Sequence, residues 1–316
     1  MRAQMSFNWI FAIVVGAIII FLALFFASRY LNIERYKYDS EMADKLAILL
    51  NPLETSFVSS TATLIEFPVE TRISVQCKHE GIGREELRVA TKSPTGDAWQ
   101  EFGAAQSIHN KYIFSNDIEE GKTLYIFSKQ FKMPFDIADL IYATTSNYCF
   151  VAPPQGVGDE LRDLNASQMQ LAYRKSECRQ KSRTVCFGSR NCDINVYGLC
   201  YYGCSDLYEH GFIQQGDEKV YYNGNALMYA AIFSKSELYE CNIRRLLSRT
   251  SMLSRLYIEK TKLLDARGCA TGKLSSKLLD LNYNALSLVS SANMVMLRDK
   301  AKEVESANNE IVCKVF

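Results

Sequence analysis

The chain has 316 residues, length for about two folded units, and 48% of it is apolar against 22% charged. That balance excludes wholesale disorder, and 36 basic against 35 acidic side chains, a formal charge of +1, argue against a dedicated nucleic-acid binder. Ten cysteines are too few for a coreless disulfide scaffold, so they pin local features of a fold with its own core.

A short N-terminal flank, residues 1–8, precedes the run Trp9 to Ala27, which is 19 residues long and carries no charge. At 1.5 Å per residue it reaches roughly 28 Å, the thickness of a bilayer's hydrocarbon. It lacks the polar stripe of a surface helix, so residues 9–27 are predicted to cross a membrane. Bulky Phe25 stands two positions before Ala27, unlike the small residues of a cleaved secretory peptide, and retention as a signal anchor is expected. Ala12 with Gly16, and Ala23 with Ala27, fit a close helix approach as well as ordinary membrane composition. No proline intervenes before Pro52, so residues 28–51 extend the same rod to about 65 Å as an amphipathic helix. Tyr38, Met42, Leu46, Leu49 and Leu50 share its apolar face, with Glu41, Asp44 and Lys45 off it. The simplest partner for that face is the protein's own soluble part.

The extreme N-terminus, Arg2, Ala3, Gln4, Met5, Ser6, Phe7 and Asn8 running straight into the hydrophobic segment, resembles the class III signal of archaeal type IV pilins. Gln4 and Ser6 match the pattern, while Ala3 stands where Gly is usual and Asn8 where Glu is expected. The resemblance covers about the first 50 residues. It implies processing between Ala3 and Gln4 and a long first helix carrying a globular head. In that family the Glu neutralises a neighbouring subunit's amine within the filament, which Asn8 does not do by charge.

Two arguments about sidedness oppose each other. Arg29, Arg35, Lys37 and Lys45 follow the span and only Arg2 and the amine precede it, which favours a cytoplasmic head. Ten cysteines, five of them between Cys178 and Cys204, are ordinary for an oxidised ectodomain and a heavy load of free thiols elsewhere. Long domains translocate largely regardless of charge, so the large C-terminal part is expected to be extracytoplasmic. One sequon, Asn165-Ala166-Ser167, is compatible with this and decides nothing.

Beyond the rod the pattern turns from helical to alternating. Ile73, Val75 and Cys77 alternate with Arg72, Ser74 and Gln76, and further strands are expected at Leu87 to Val89, Tyr112 to Phe114, Leu124 to Phe127 and Tyr148 to Val151. Turns are expected at Gly81 to Gly83, Ser93 to Gly96 and Glu120-Gly121, making residues 71–151 an antiparallel β domain. Pro153 to Gly158 suggests a boundary or sharp loop, and Asp159 to Tyr173 has helical spacing. In the cysteine-rich region, 159–233, Asn223-Gly224 between two apolar runs suggests a type I′ hairpin. Residues 234–316 are predicted as an antiparallel helical hairpin with a capping box at Ser234 and Glu237. One stripe runs through Ile243, Leu246, Thr250, Leu253 and Tyr257, the other through Leu274, Leu278, Leu281, Ala285, Leu288, Ala292 and Val295. They are core packed on the β region or, alternatively, a coiled-coil arm. The fold class is therefore α+β.

The site candidates are few. Cys77, Cys149, Cys178, Cys186, Cys192, Cys200, Cys204, Cys241, Cys269 and Cys313 are disulfide candidates, with roughly 945 possible pairings. Five lie in one cluster, so at least one bonds outside it; a Cys241 to Cys313 bridge across the hairpin requires the tail to fold back. Arg174, Lys175, Arg179, Lys181, Arg183 and Arg190 form a basic patch against Glu177 alone, a solvated loop or a site for an anionic envelope polymer or protein. No C-x2-C pair supports zinc, Asn116 stands where a phosphate-binding loop ending at Gly121-Lys122-Thr123 needs Gly, and His79-Glu80 lacks its second His. No catalytic set and no cofactor is implied. The expectation is a single-pass anchored extracytoplasmic protein with a structural or interaction role, its partners being membrane lipid and either copies of itself or other surface proteins, not nucleic acid. The alternatives are a pilin-like assembly subunit and an anchored cell-envelope hydrolase.

Overall fold

The computed structural model describes residues 7–49, 62–80, 83–93, 98–188, 191–199 and 206–316. Ala3 and Gln4, Pro52, the turn residues 81–82 and 94–96, and Arg190, Cys200 and Cys204 lie outside the described residues.

Helix α1 (Phe7–Leu49) is one uninterrupted element. Its segment Trp9–Ala27 is long and apolar enough to cross a membrane, and none of it is buried. Its far end sits on the rest of the molecule through Asp39, Ala43 and Leu46, spaced i, i+4, i+7 and all buried. The carboxylate of Asp39 accepts from Thr91 Oγ1 at 2.9 Å and from Thr91 N at 3.4 Å, and Ser40 Oγ accepts from Ala104 N at 2.9 Å. Tyr38, expected on the packing face, is 43% exposed. Leu46 is buried as expected and Met42 packs partly beside it, so the contact departs from the expected face only at its start, where Asp39 replaces Tyr38 because the surface below offers hydrogen-bonding groups and the close approach of Gly103, where a Cβ would lie 2.8 Å from Ser40 N.

The first sheet comprises β1 (Thr63–Lys78), β2 (Arg84–Thr91), β3 (Gln106–His109), β4 (Tyr112–Phe114), β5 (Ile118–Lys132) and β6 (Asp136–Thr144), in the order β3-β2-β1-β5-β6-β4. Its pairings are antiparallel apart from β4 with β6. Glu120-Gly121, expected as a turn, lies inside β5 opposite Arg72 and Thr71, because cross-strand pairing overrides the local turn preference of Gly. Alternation splits the sheet's two faces. Phe127, Phe131, Leu140 and Tyr142 enter the main core, while Leu124, Ile126, Ile141 and Ala143 join Ile73, Val75, Leu87 and Val89 in a second cluster with Ala43 and Leu46 of α1.

The second sheet comprises β7 (Tyr148–Val151), β8 (Met169–Ala172), β9 (Arg183–Phe187), β10 (Ile194–Gly198), β11 (His210–Gln215) and β12 (Glu218–Asn223). Its order is β12-β11-β10-β9-β7-β8, parallel from β8 through β10 and antiparallel beyond. Tyr148 to Val151 thus belongs to this sheet and not to the first. Pro154 is the N-cap of α2 (Gln155–Asp163), so residues 155–158 are helix and not loop, and the helix stops well short of Tyr173. A parallel β7–β8 pair requires a crossover between its strands, and α2 supplies it.

The largest departure is α3 (Gly224–Phe233). Asn223-Gly224 is a strand-to-helix junction, with Gly224 at φ +77°, and the hairpin runs instead from β11 to β12 through Gly216 at φ +59°. Ala226 to Phe233 are all buried, packed against β4, β5 and β6 of one sheet and β11 and β12 of the other. An apolar run without polar alternation fits a helix buried on every side as well as a buried strand.

Helix α4 (Ser236–Asp265), α5 (Gly272–Ser287) and α6 (Met294–Glu310) complete the chain. Bonds from Ser251 to Asn282 and from Thr271 to Thr261 make α4 and α5 antiparallel, and ion pairs Lys277–Glu303 and Lys300–Asp280 do the same for α5 and α6. The predicted second helix is thus two, broken after Ser287, and the array has three helices. Leu274, Leu278, Leu281, Ala285 and Leu288 are buried in the main core, as are Ile243 and Leu246, so these parts of both stripes are core and not a free coiled-coil arm, whereas Ala292 is exposed and Val295 half-buried, because the break after Ser287 puts Met294 and Leu297 inward in their place. The capping box does not form: Ser234 ends α3 and donates to Ala230 O, and Lys235 caps α4.

Candidate functional site

Eight described cysteines form four disulfides: Cys77–Cys241, Cys149–Cys178, Cys186–Cys192 and Cys269–Cys313. The bridge from Cys241 goes to β1 and not to Cys313, because α4 lies against the first sheet at its first turns. Cys313 closes on the α4–α5 connector at Cys269, reached once α6 brings the tail back. Cys149 and Cys186, on neighbouring strands of the second sheet, are fully buried and form a small sulfur-lined cluster with Cys192 and the half-buried Cys178.

The first bridge belongs to a larger clamp. Cys77 and Glu85 are cross-strand partners on β1 and β2, and Cys241 and Arg245 lie one helical turn apart on α4. The two strands therefore grip the helix twice, once covalently and once through the ion pair Arg245–Glu85, 3.1 Å apart with both side chains at 0% exposure. The same groups seal the edge of the sheet. On β4, Ile113 N donates to Glu85 Oε1 at 2.8 Å and Ile113 O accepts from Asn242 Nδ2 at 3.0 Å, while Asn242 Oδ1 accepts from Arg245 at 2.8 Å. An open sheet edge is satisfied by side chains in place of a further strand. Arg245 also stacks on Tyr112, 4.6 Å from the ring centre. Burial pushes the Glu85 carboxyl up to about 7, against the opposing pull of Arg245 and of the hydrogen bonds it accepts. The disulfide lines a cleft of about 880 Å³ whose charged walls are mixed in sign, with Lys78 and Arg88 against Asp117 and Glu237. Mixed walls select no ligand by charge. Sequence reasoning missed Glu85, Arg245 and Asn242, and the only signal available was that charged residues interrupt apolar alternation in a strand and a helix.

The expected basic patch divides. Arg183 turns inward, donating to Asn116 Oδ1 at 2.8 Å, Tyr148 OH at 3.2 Å and Gln215 Oε1 at 3.1 Å, and ties the two sheets together. Arg190 lies outside the described residues. Arg174, Lys175, Arg179 and Lys181 remain exposed in the segment between β8 and β9. That segment is shaped by two tight turns, closed by Glu177 N to Arg174 O and by Ser182 N to Arg179 O, and is pinned to β7 by Cys149–Cys178. Its single acid is used internally: Glu177 Oε2 accepts from Tyr173 N at 3.0 Å and from Arg174 N at 3.4 Å. Gln170 holds the segment from β8, donating to Glu177 O and accepting from Arg179 N. Nearby, partial burial opposes ionisation of Asp193, but hydrogen bonds from Thr184 N and Oγ1, with Lys175 and Arg183 close by, hold its carboxyl below its usual value.

No family model matches the chain, and neither does any curated protein or solved structure.

Proposed function

We propose that this chain is a single-pass membrane protein whose disulfide-bonded head stands outside the cytoplasm and serves a structural or interaction role. The observation that carries the reading is α1. None of its charge-free span Trp9–Ala27 is buried, and its last turns are seated on the head through Asp39, Ala43 and Leu46. A helix of this kind satisfies its own backbone in lipid and carries the head as a fixed extension. The four disulfides support an oxidising compartment for the head. The test is gel-shift alkylation of intact cells with a membrane-impermeant maleimide, before and after an impermeant reductant. Labelling only after reduction is the expected result, and thiols that react only once cells are permeabilised, without reductant, overturn it.

A pilin-like assembly subunit is a second reading within the same class. It is favoured by the combination of an exposed apolar helix and a head-docked end in one element, which is what a filament with a helical core needs from each subunit. Sequencing the N-terminus of the mature protein decides it: a chain starting at Gln4 supports the filament, and an intact Met1 or Arg2 removes it.

A further inference from the structure

We infer that the turn segment between β8 and β9 is a docking surface for an anionic polysaccharide, an inference that rests on the head being extracytoplasmic. Arg174, Lys175, Arg179 and Lys181 are exposed within eight residues, on a backbone folded into two tight turns. Glu177, the only acid in the segment, spends one carboxylate oxygen on two backbone N–H groups. Among the described residues Lys175 and Arg179 donate to carbonyl oxygens, of Asn191 and Ser167, and the carboxylate of Asp193 lies close to Lys175 alone of the four. A basic loop that is merely solvated has no need of this order. Here a disulfide, the Glu177 carboxylate on two backbone N–H groups and the Gln170 side chain fix the backbone, so little conformational entropy is lost when a ligand binds.

The chemistry selects the partner. The chain as a whole carries a formal charge of only +1, so no long-range field gathers small anions. A polymer with repeated carboxylates or sulfates gains from engaging several of these cations at once. Tyr173, 85% exposed and next to Arg174, adds an aromatic face for a sugar ring beside the charges. That pairing of one ring with a short cationic turn favours a charged sugar chain over a peptide or a lipid headgroup.

The test uses the full chain in nanodiscs of neutral lipid, titrated with alginate, a polyuronate, and in parallel with polyglutamate and single-stranded DNA at matched charge. Alginate should bind more tightly than either, with affinity falling as salt rises. R174S/K181S should weaken alginate binding by about tenfold or more, while R174K/K181R retains it. Tyr173→Ser should weaken alginate and leave polyglutamate unchanged. Equal or tighter binding of DNA or polyglutamate, or salt-insensitive alginate binding, overturns the inference. So does an R174S/K181S variant that binds alginate as the parent does while keeping the parent's resistance to alkylation. Alkylation that places the head in the cytoplasm sinks the reading on which this rests, whereas loss of alginate binding with the head outside sinks the inference alone.

Discussion

Glu85 is a fully buried carboxyl group, and its behaviour with pH follows from that. Its folded value, about 7, lies above the ordinary 4.5, so the folded chain holds the proton more tightly than the unfolded one does. The stability it contributes is fully present below about pH 4.5 and is lost as pH rises through 7. Glu85→Gln keeps an acceptor for Ile113 N–H and should flatten this part of the urea-denaturation profile; parallel profiles for the two proteins would refute the assignment. Arg245→Met leaves Glu85 buried without its cation, which costs about 3–5 kcal/mol. The loss should be larger at pH 8 than at pH 5, where the orphaned carboxyl takes up a proton. None of this was legible in the sequence. The glutamate stands in an alternating strand and the arginine in a helix, and burial became evident only once α4 was laid across the sheet.

Among the elements, α1 shows how a short contact fixes a long rod. A side chain at Gly103 would meet the backbone of Ser40, so Gly103→Val should release the end of α1, read as new protease cleavage near residues 39–49 in detergent with the head still resistant. Asp39→Ala removes a buried acceptor from Thr91 and should cost about 1–3 kcal/mol by thermal unfolding. The disulfides rank by the chain they enclose. Cys77–Cys241 closes a separation of 164 residues and Cys186–Cys192 only 6. Removing the first pair to alanine should therefore destabilise the head by about 3 kcal/mol more than removing the second. An equal loss would mean that the unfolded chain is not the state they restrict. The expected strands at Ile73, Leu87, Tyr112 and Leu124 coincide with β1, β2, β4 and β5, because half-buried strands write their period into the chain. Ala226 to Phe233 could not be read this way, since a segment apolar on every side has no period to betray its geometry.

At the scale of the whole molecule, the two tryptophans offer a direct test of the anchor. Trp9 lies at the start of the apolar segment with 70% of its surface exposed, and Trp99 lies on the head beneath Arg72, 4.1 Å from its ring centre. Brominated lipids should quench the fluorescence of Trp99→Phe in vesicles and leave Trp9→Phe nearly unquenched; quenching of both, or of neither, removes the anchor. By itself the sequence determined the one apolar span, the alternation of the central strands and the supply of cysteines, because each depends on composition or period along the chain. Tertiary structure alone decided which cysteines meet, that α3 is a helix, that Asp39 and not Tyr38 faces the head, and that Glu85 and Arg245 share a dry interior. Those outcomes depend on which surfaces come together in space, and residues 164 positions apart leave no mark on each other until the chain has folded.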